Sequence, residues 1–200
     1  MKKIPFLLIF SRIILGVIVI LLAIFQPLHS AAWIVAAMTT GLLTDVFDGI
    51  VARKLNVSSE SLRIWDSNVD QFFWLAVVGS VFYLNVDFIK QHILWITLIL
   101  VLEVFCYLYS YLKFKKTIAT HSILAKIWTI SLLVFLIDLV LHSESRIAFI
   151  ICICLGIISR IEILLIIHRL LKWTTDVPSL FVVSKINKGI PFKKSTLFNG

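Results

Sequence analysis

Six long apolar runs separated by short polar links dominate the chain, at roughly 4–26, 31–51, 62–86, 93–112, 127–141 and 147–171. Period-two alternation is absent, and the runs are longer than the ~9–11 residues of a barrel strand, so they predict helices. An α-helix needs about 20 apolar residues to cross a hydrocarbon core of ~30 Å. The pattern therefore predicts an all-α integral membrane protein, a bundle of six transmembrane helices over residues 1–177. Residues 178–200 are more polar, carry Lys185, Lys188, Lys193 and Lys194, and read as a basic tail outside the bilayer. The link Pro27-Leu28-His29-Ser30 is tight enough to make the first two helices antiparallel neighbours. Met1-Lys2-Lys3 followed by an apolar run imitates a signal peptide, but Arg12 interrupts the run and no convincing cleavage site follows. It reads as a retained first helix.

Composition agrees with that picture. Of the 200 residues 60% are hydrophobic and only 15% charged, against about 25% charged in a soluble domain. Too few charges remain to cover a water-facing surface, and the hydrophobicity excludes a disordered chain. The net charge of +8 would suit a nucleic-acid binder, but the Lys and Arg residues cluster in the links. Seventeen lie at the N-terminus through Arg12, around Arg53–Arg63, from Lys113 to Lys126, or from Arg160 onward; only Lys90 and Arg146 lie in the alternate links. That asymmetry predicts both termini in the cytoplasm of a multi-pass inner-membrane protein, with membrane lipids and not nucleic acid as its surroundings. Cys106, Cys152 and Cys154 all fall in apolar runs without a CxxC pair and read as small core residues.

Acids interrupt the apolar runs at informative places. Asp45 and Asp48 lie near the end of the second run, Asp66 and Asp70 near the start of the third. Spacings of three and four residues put each pair on one helix face, and the short basic link between the runs brings the faces together. Four carboxylates at one depth would repel and would be costly in a membrane. Divalent cations relieve both penalties, and an all-oxygen ligand set favours Mg²⁺ or Mn²⁺. Gly49 and Ala52 share the Asp45/Asp48 face and leave room beside the metals, while Arg53 offers a phosphate-seeking fork at the rim. An interfacial charge belt pairing the acids with Arg53, Lys54 and Arg63 would not need helical register with small residues between. Two cations could bridge a pyrophosphate and leave one carboxylate as base.

The run Asp45-Val-Phe-Asp48-Gly49-Ile-Val-Ala52-Arg53, followed by Leu62, Asp66 and Asp70, resembles the signature of the CDP-alcohol phosphotransferase family. Seven of its eight fixed positions match with the right spacing; Leu62 stands where the family carries glycine. Pro5 and Arg12 resemble the family's N-terminal segment, with Phe6 in place of asparagine. Lys126-Ile-Trp-Thr129 looks like the Lys-x-x-Thr opening the fifth helix of bacterial phosphatidylglycerophosphate synthases, and Glu162 falls where such synthases also have an acid.

The resemblance implies a six-helix transferase, commonly a homodimer, with its active site facing the cytoplasm. Asp45, Asp48 and Asp66 would ligate two metal ions with Asp70 close to the second, and Asp70 would be the general base. Gly49, Ala52 and Arg53 would line the cytidine-diphosphate site, with Leu62 altering it. An acceptor hydroxyl would attack the β-phosphorus of a CDP-alcohol, CDP-diacylglycerol in the first instance, releasing CMP. Glycerol 3-phosphate is the preferred small polar acceptor, with Lys126, Thr129 and Arg12 as ligands for its phosphate. A catalytically weakened relative that binds lipid or nucleotide is the alternative.

Other polar residues have plainer expectations. His121 reads as solvated, Glu103 and Asp138 as partners in interhelical pairs or a dimer contact. Arg160 and Glu162, two apart on a helix, do not face one another.

Overall fold

A computed structural model describes residues 4–54, 60–116, 118, 120, 122–175 and 177–190; the side chains of 4–6, 48–49, 52–54, 60–64 and 67 lie outside that description. The helices are α1 (Ile4–Phe25), α2 (Ser30–Lys54), α3 (Glu60–Leu84), α4 (Val86–Phe114), α5 (Ile123–His142) and α6 (Ile147–Arg169). A single 3₁₀ turn, Leu180–Val182, and a short α7 (Val183–Asn187) follow. No strand occurs among the described residues.

Among the described residues, five helices are long and apolar enough to cross a membrane. They leave large apolar side chains such as Leu7, Ile14, Leu94 and Val104 on the outside, as a lipid-facing surface requires. The remaining long helix, α3, has 25 residues and carries Glu60, Arg63, Asp66 and Asp70 in its first half.

Two links show how the sequence sets the turns. After α1, Gln26 and His29 take left-handed backbone conformations (φ 43° and 63°), and the Ser30 amide donates to Pro27 O at 2.9 Å. The reversal starts α2 within a few residues. Between α3 and α4 only Asn85 intervenes; its carbonyl accepts the Ile89 amide at 3.1 Å and its side chain donates to Val81 O at 2.9 Å. The polar stretch with Asp87 and Lys90, expected to be a link, thus forms the opening turns of α4.

The chain divides into two compact units, Met1–Ile89 with Leu136–Ser145, and Lys90–Phe135 with Arg146–Gly200. In the first, α1 packs along both α2 and α3. Its buried positions are Ile9, Arg12, Gly16, Val19 and Ala23, alternating by three and four residues as a packed helix seam does. The seam of α2 runs through Ile34, Met38 and Gly41, that of α3 through Phe73, Val77 and Ser80. A β-carbon built on Gly41 would lie 2.8 Å from Phe73 Cε2 and nearer still to Cε1 and Cζ, so only glycine admits this ring.

In the second unit, α6 buries Ile163, Ile166 and Ile167 against residues that include Cys106, Tyr109 and Phe114 of α4. Lys113 Nζ caps the end of α6, donating to Ile167 O at 2.8 Å and His168 O at 2.6 Å. After α6 the chain folds back on it: Val177 and Val183 are buried on Ile166 and Leu170, and Asn187 Nδ2 donates to Arg169 O at 2.8 Å. Of the cysteines, Cys106 and Cys152 are core residues, whereas Cys154 is exposed.

Candidate functional site

Continuing the seams of α2 and α3 by one turn reaches the acids. Asp45 follows Gly41 by four residues; Asp70 and Asp66 precede Phe73 by three and seven. The same register that packs apolar groups above therefore aims carboxylates at one point below. Asp45, Asp66 and Asp70 each offer an oxygen, and these atoms all lie within 4.8 Å of one another. Their side chains stay 27–37% exposed, so the oxygens are open on one side.

Arg12, fully buried on the α1 seam, closes the other side. Its Nη1 donates to Asp45 Oδ1 at 3.1 Å and to Asp70 Oδ1, and its Nη2 donates to Asp66 Oδ1 at 2.5 Å. One planar guanidinium thus joins carboxylates from two helices, a task suited to its fixed fork of donors.

The donor set fits a hard divalent cation. It is all oxygen and all carboxylate, and a positively charged group already sits on it. The remaining expected ligand, Asp48, lies on α2, as do Gly49, Ala52 and Arg53; Leu62 lies on α3. The side chains of all five lie outside the described residues.

A family model described as CDP-alcohol phosphatidyltransferase matches residues 2–173. The chain belongs to the CDP-alcohol phosphatidyltransferase family. No curated protein and no solved structure matches it. Membership in this phosphotransferase family implies transfer of a phosphatidyl group in phospholipid synthesis, from CDP-alcohol donors. Divalent-metal dependence is typical of the family, and the acid cluster is present here. The apolar helices fit a multi-pass membrane protein.

Most of the other candidates lie in the second unit. Lys126 is half-buried on the first turn of α5, and Thr129 Oγ1 donates to Ala125 O of its own helix at 3.0 Å. Glu103 does form an interhelical ion pair, its Oε2 against Arg160 Nε of α6, and the Arg160 guanidinium lies 4.2 Å above the Trp128 ring. In the first unit Asp138 pairs within its own helix instead, with His142 Nδ1 at 2.9 Å from its Oδ1. Glu162 Oε1 accepts the Leu180 amide at 3.3 Å and so holds the segment after α6. His121 lies outside the described residues.

Sequence reasoning set Arg12 toward a phosphate and missed its carboxylate partners. The available signal was its register: Arg12 falls on the buried α1 seam, three residues after Ile9 and four before Gly16.

Proposed function

We propose that the chain transfers a phosphatidyl group from CDP-diacylglycerol to a small polar alcohol, with glycerol 3-phosphate as acceptor and CMP as leaving group. The observation that carries the reading is the convergence of Asp45, Asp66 and Asp70 within a family that performs this class of transfer. Asp45, Asp48 and Asp66, with Asp70 beside them, are the residues that would hold two Mg²⁺ or Mn²⁺ ions. Such ions, when bound, supply charge neutralisation for a pyrophosphate and its leaving phosphate.

Asp70 takes the proton from the acceptor hydroxyl as that oxygen forms its bond to the β-phosphorus. The bond from this phosphorus to the CMP oxygen breaks, and CMP departs with the electron pair. Gly49 and Ala52 leave space for the cytidine diphosphate, Leu62 trims that space, and Arg53 pairs with a phosphate at the rim. Lys126 and Thr129 bind the acceptor's phosphate. The six-span arrangement, with both termini and the acids in the cytoplasm of the inner membrane, gives soluble acceptors access; the Lys and Arg asymmetry supports it. The working protein is a homodimer in this reading.

A lipid donor is favoured over a soluble CDP-alcohol by a groove of about 430 Å³ between α1 and α2. Its lining begins at Leu15, three residues after Arg12, and continues through Ile18 and Leu22 opposite Trp33, Ala36 and Ala37. Such an open apolar groove suits an acyl chain. Purified protein supplied with CDP-diacylglycerol and, in turn, glycerol 3-phosphate, serine and inositol phosphate tests the assignment by mass spectrometry of the lipid product. Phosphatidylglycerol phosphate as the main product supports it; a different phospholipid replaces the acceptor, and product formed only from soluble CDP-alcohols overturns the donor.

A further inference from the structure

Arg12 stands where a cation is called for. It is the basic residue on the buried α1 seam, it has no solvent exposure, and its two terminal nitrogens meet Asp45, Asp66 and Asp70. Three carboxylates facing one another across less than 4.8 Å repel, and a membrane-embedded helix bundle offers little water to screen them. Without a counter-charge the seams of α2 and α3 would be driven apart at this end.

We propose that Arg12 is the resident counter-cation of the carboxylate site, holding Asp45, Asp66 and Asp70 together before divalent cations arrive and competing with those cations for the same oxygens. The proposal rests on the metal-dependent reading given above. It differs from it in what Arg12 does: its first partners are the carboxylates and not the acceptor's phosphate. The geometry supports competition over cooperation, because Arg12 donates to an oxygen of every one of the clustered carboxylates. An oxygen donated to by a guanidinium is less available as a metal ligand. The arrangement also explains why arginine is used. A planar fork reaches two helices at once, whereas a lysine ammonium is a point charge on a flexible stem.

Two consequences follow for a variant that lacks the charge. The metal-free protein loses its counter-cation and becomes less stable, and the carboxylates, freed of their competitor, bind divalent cations more tightly. The test is a titration of full-length purified protein in detergent with Mn²⁺, the free ion read by its paramagnetic resonance signal. Thermal unfolding in EDTA and in saturating Mn²⁺ accompanies it. The parent is compared with Arg12→Met, Arg12→Lys and Asp66→Asn.

The proposal expects Arg12→Met to bind Mn²⁺ at least about tenfold more tightly than the parent, the effect of losing a buried charge-paired competitor. Its unfolding temperature should fall in EDTA and return toward the parent's in Mn²⁺. Arg12→Lys should bind a few-fold more tightly. Asp66→Asn should weaken binding, which locates the ion. Parent-like or weaker Mn²⁺ affinity in Arg12→Met, with parental binding intact and sensitive to Asp66→Asn, overturns the competition while leaving the metal reading standing. Absence of Mn²⁺ binding in the parent and in both Arg12 variants overturns the metal reading and the proposal with it. If Arg12→Met folds only when purified with Mn²⁺, the counter-cation role is supported. If it folds under neither condition, Arg12→Lys decides: tighter binding supports the proposal and unchanged or weaker binding overturns it.

Discussion

Gly41→Ala adds one methyl group where α2 meets the ring of Phe73. In an open helix, alanine would stabilise by about 1 kcal/mol relative to glycine. Here the new β-carbon would fall 2.8 Å or less from three ring carbons of a side chain that is 1% exposed. Overpacking of that kind costs about 1–3 kcal/mol, so the net change is a loss of about 1 kcal/mol. For a chain of this size that lowers Tm by roughly 2–4 °C. The displaced ring lies three residues from Asp70, and the new methyl four residues from Asp45. A shift of about 1 Å between these carboxylates would cut turnover by about 10²-fold, a far larger effect than the stability change. Thermal unfolding and turnover of Gly41→Ala, Phe73→Leu and the double variant check this. The double variant should recover activity relative to Gly41→Ala, because leucine vacates the space that the methyl needs. A Gly41→Ala protein with higher Tm and full activity would refute the reasoning, since helix propensity alone would then govern the site.

Replacing Glu103 by leucine strands the buried Arg160 charge and should cost about 3 kcal/mol in detergent unfolding, the low end for such losses because Glu103 is a quarter exposed. Glu103→Leu combined with Arg160→Leu should return to within about 1 kcal/mol of the parent; additive losses would contradict the pairing. Asp70→Asn keeps the side chain's shape but removes the proposed proton acceptor, so turnover at saturating metal should fall about 10²–10⁴-fold while donor binding persists. Asp45→Asn and Asp66→Asn should instead weaken Mn²⁺ affinity together with rate. Leu62→Gly, which restores the family's residue, should lower the donor KM at a stability cost of up to ~1 kcal/mol. Unchanged kinetics with every CDP-alcohol would remove Leu62 from the nucleotide pocket.

The helices were legible because lipid demands long apolar runs, and the link Pro27–Ser30 because proline and short length leave few ways to turn. The opening turns of α4 were not, since Asp87, Lys90 and His92 form a polar stretch that looks like a link until Asn85 is seen to start a helix. The docking of Val177 and Val183 on α6 was hidden by the lysines around them. In the site, the acids announced themselves by spacing, because three- and four-residue intervals fix a shared face whatever surrounds them. Arg12 could not be assigned in the same way. Carboxylates and phosphates are both anions that attract a guanidinium, and only the packing of α1 along α2 and α3 decides which one it meets.

Release of CMP from CDP-diacylglycerol by the purified protein tests the central claim most directly. With glycerol 3-phosphate and Mg²⁺ or Mn²⁺ present, CMP should appear in step with a new phospholipid; EDTA should abolish both, and restored metal should return them. Asp66→Asn should require far more metal for the same rate. A folded protein that binds Mn²⁺ and CDP-diacylglycerol but releases no CMP with any acceptor would contradict the account and leave a binding protein in its place.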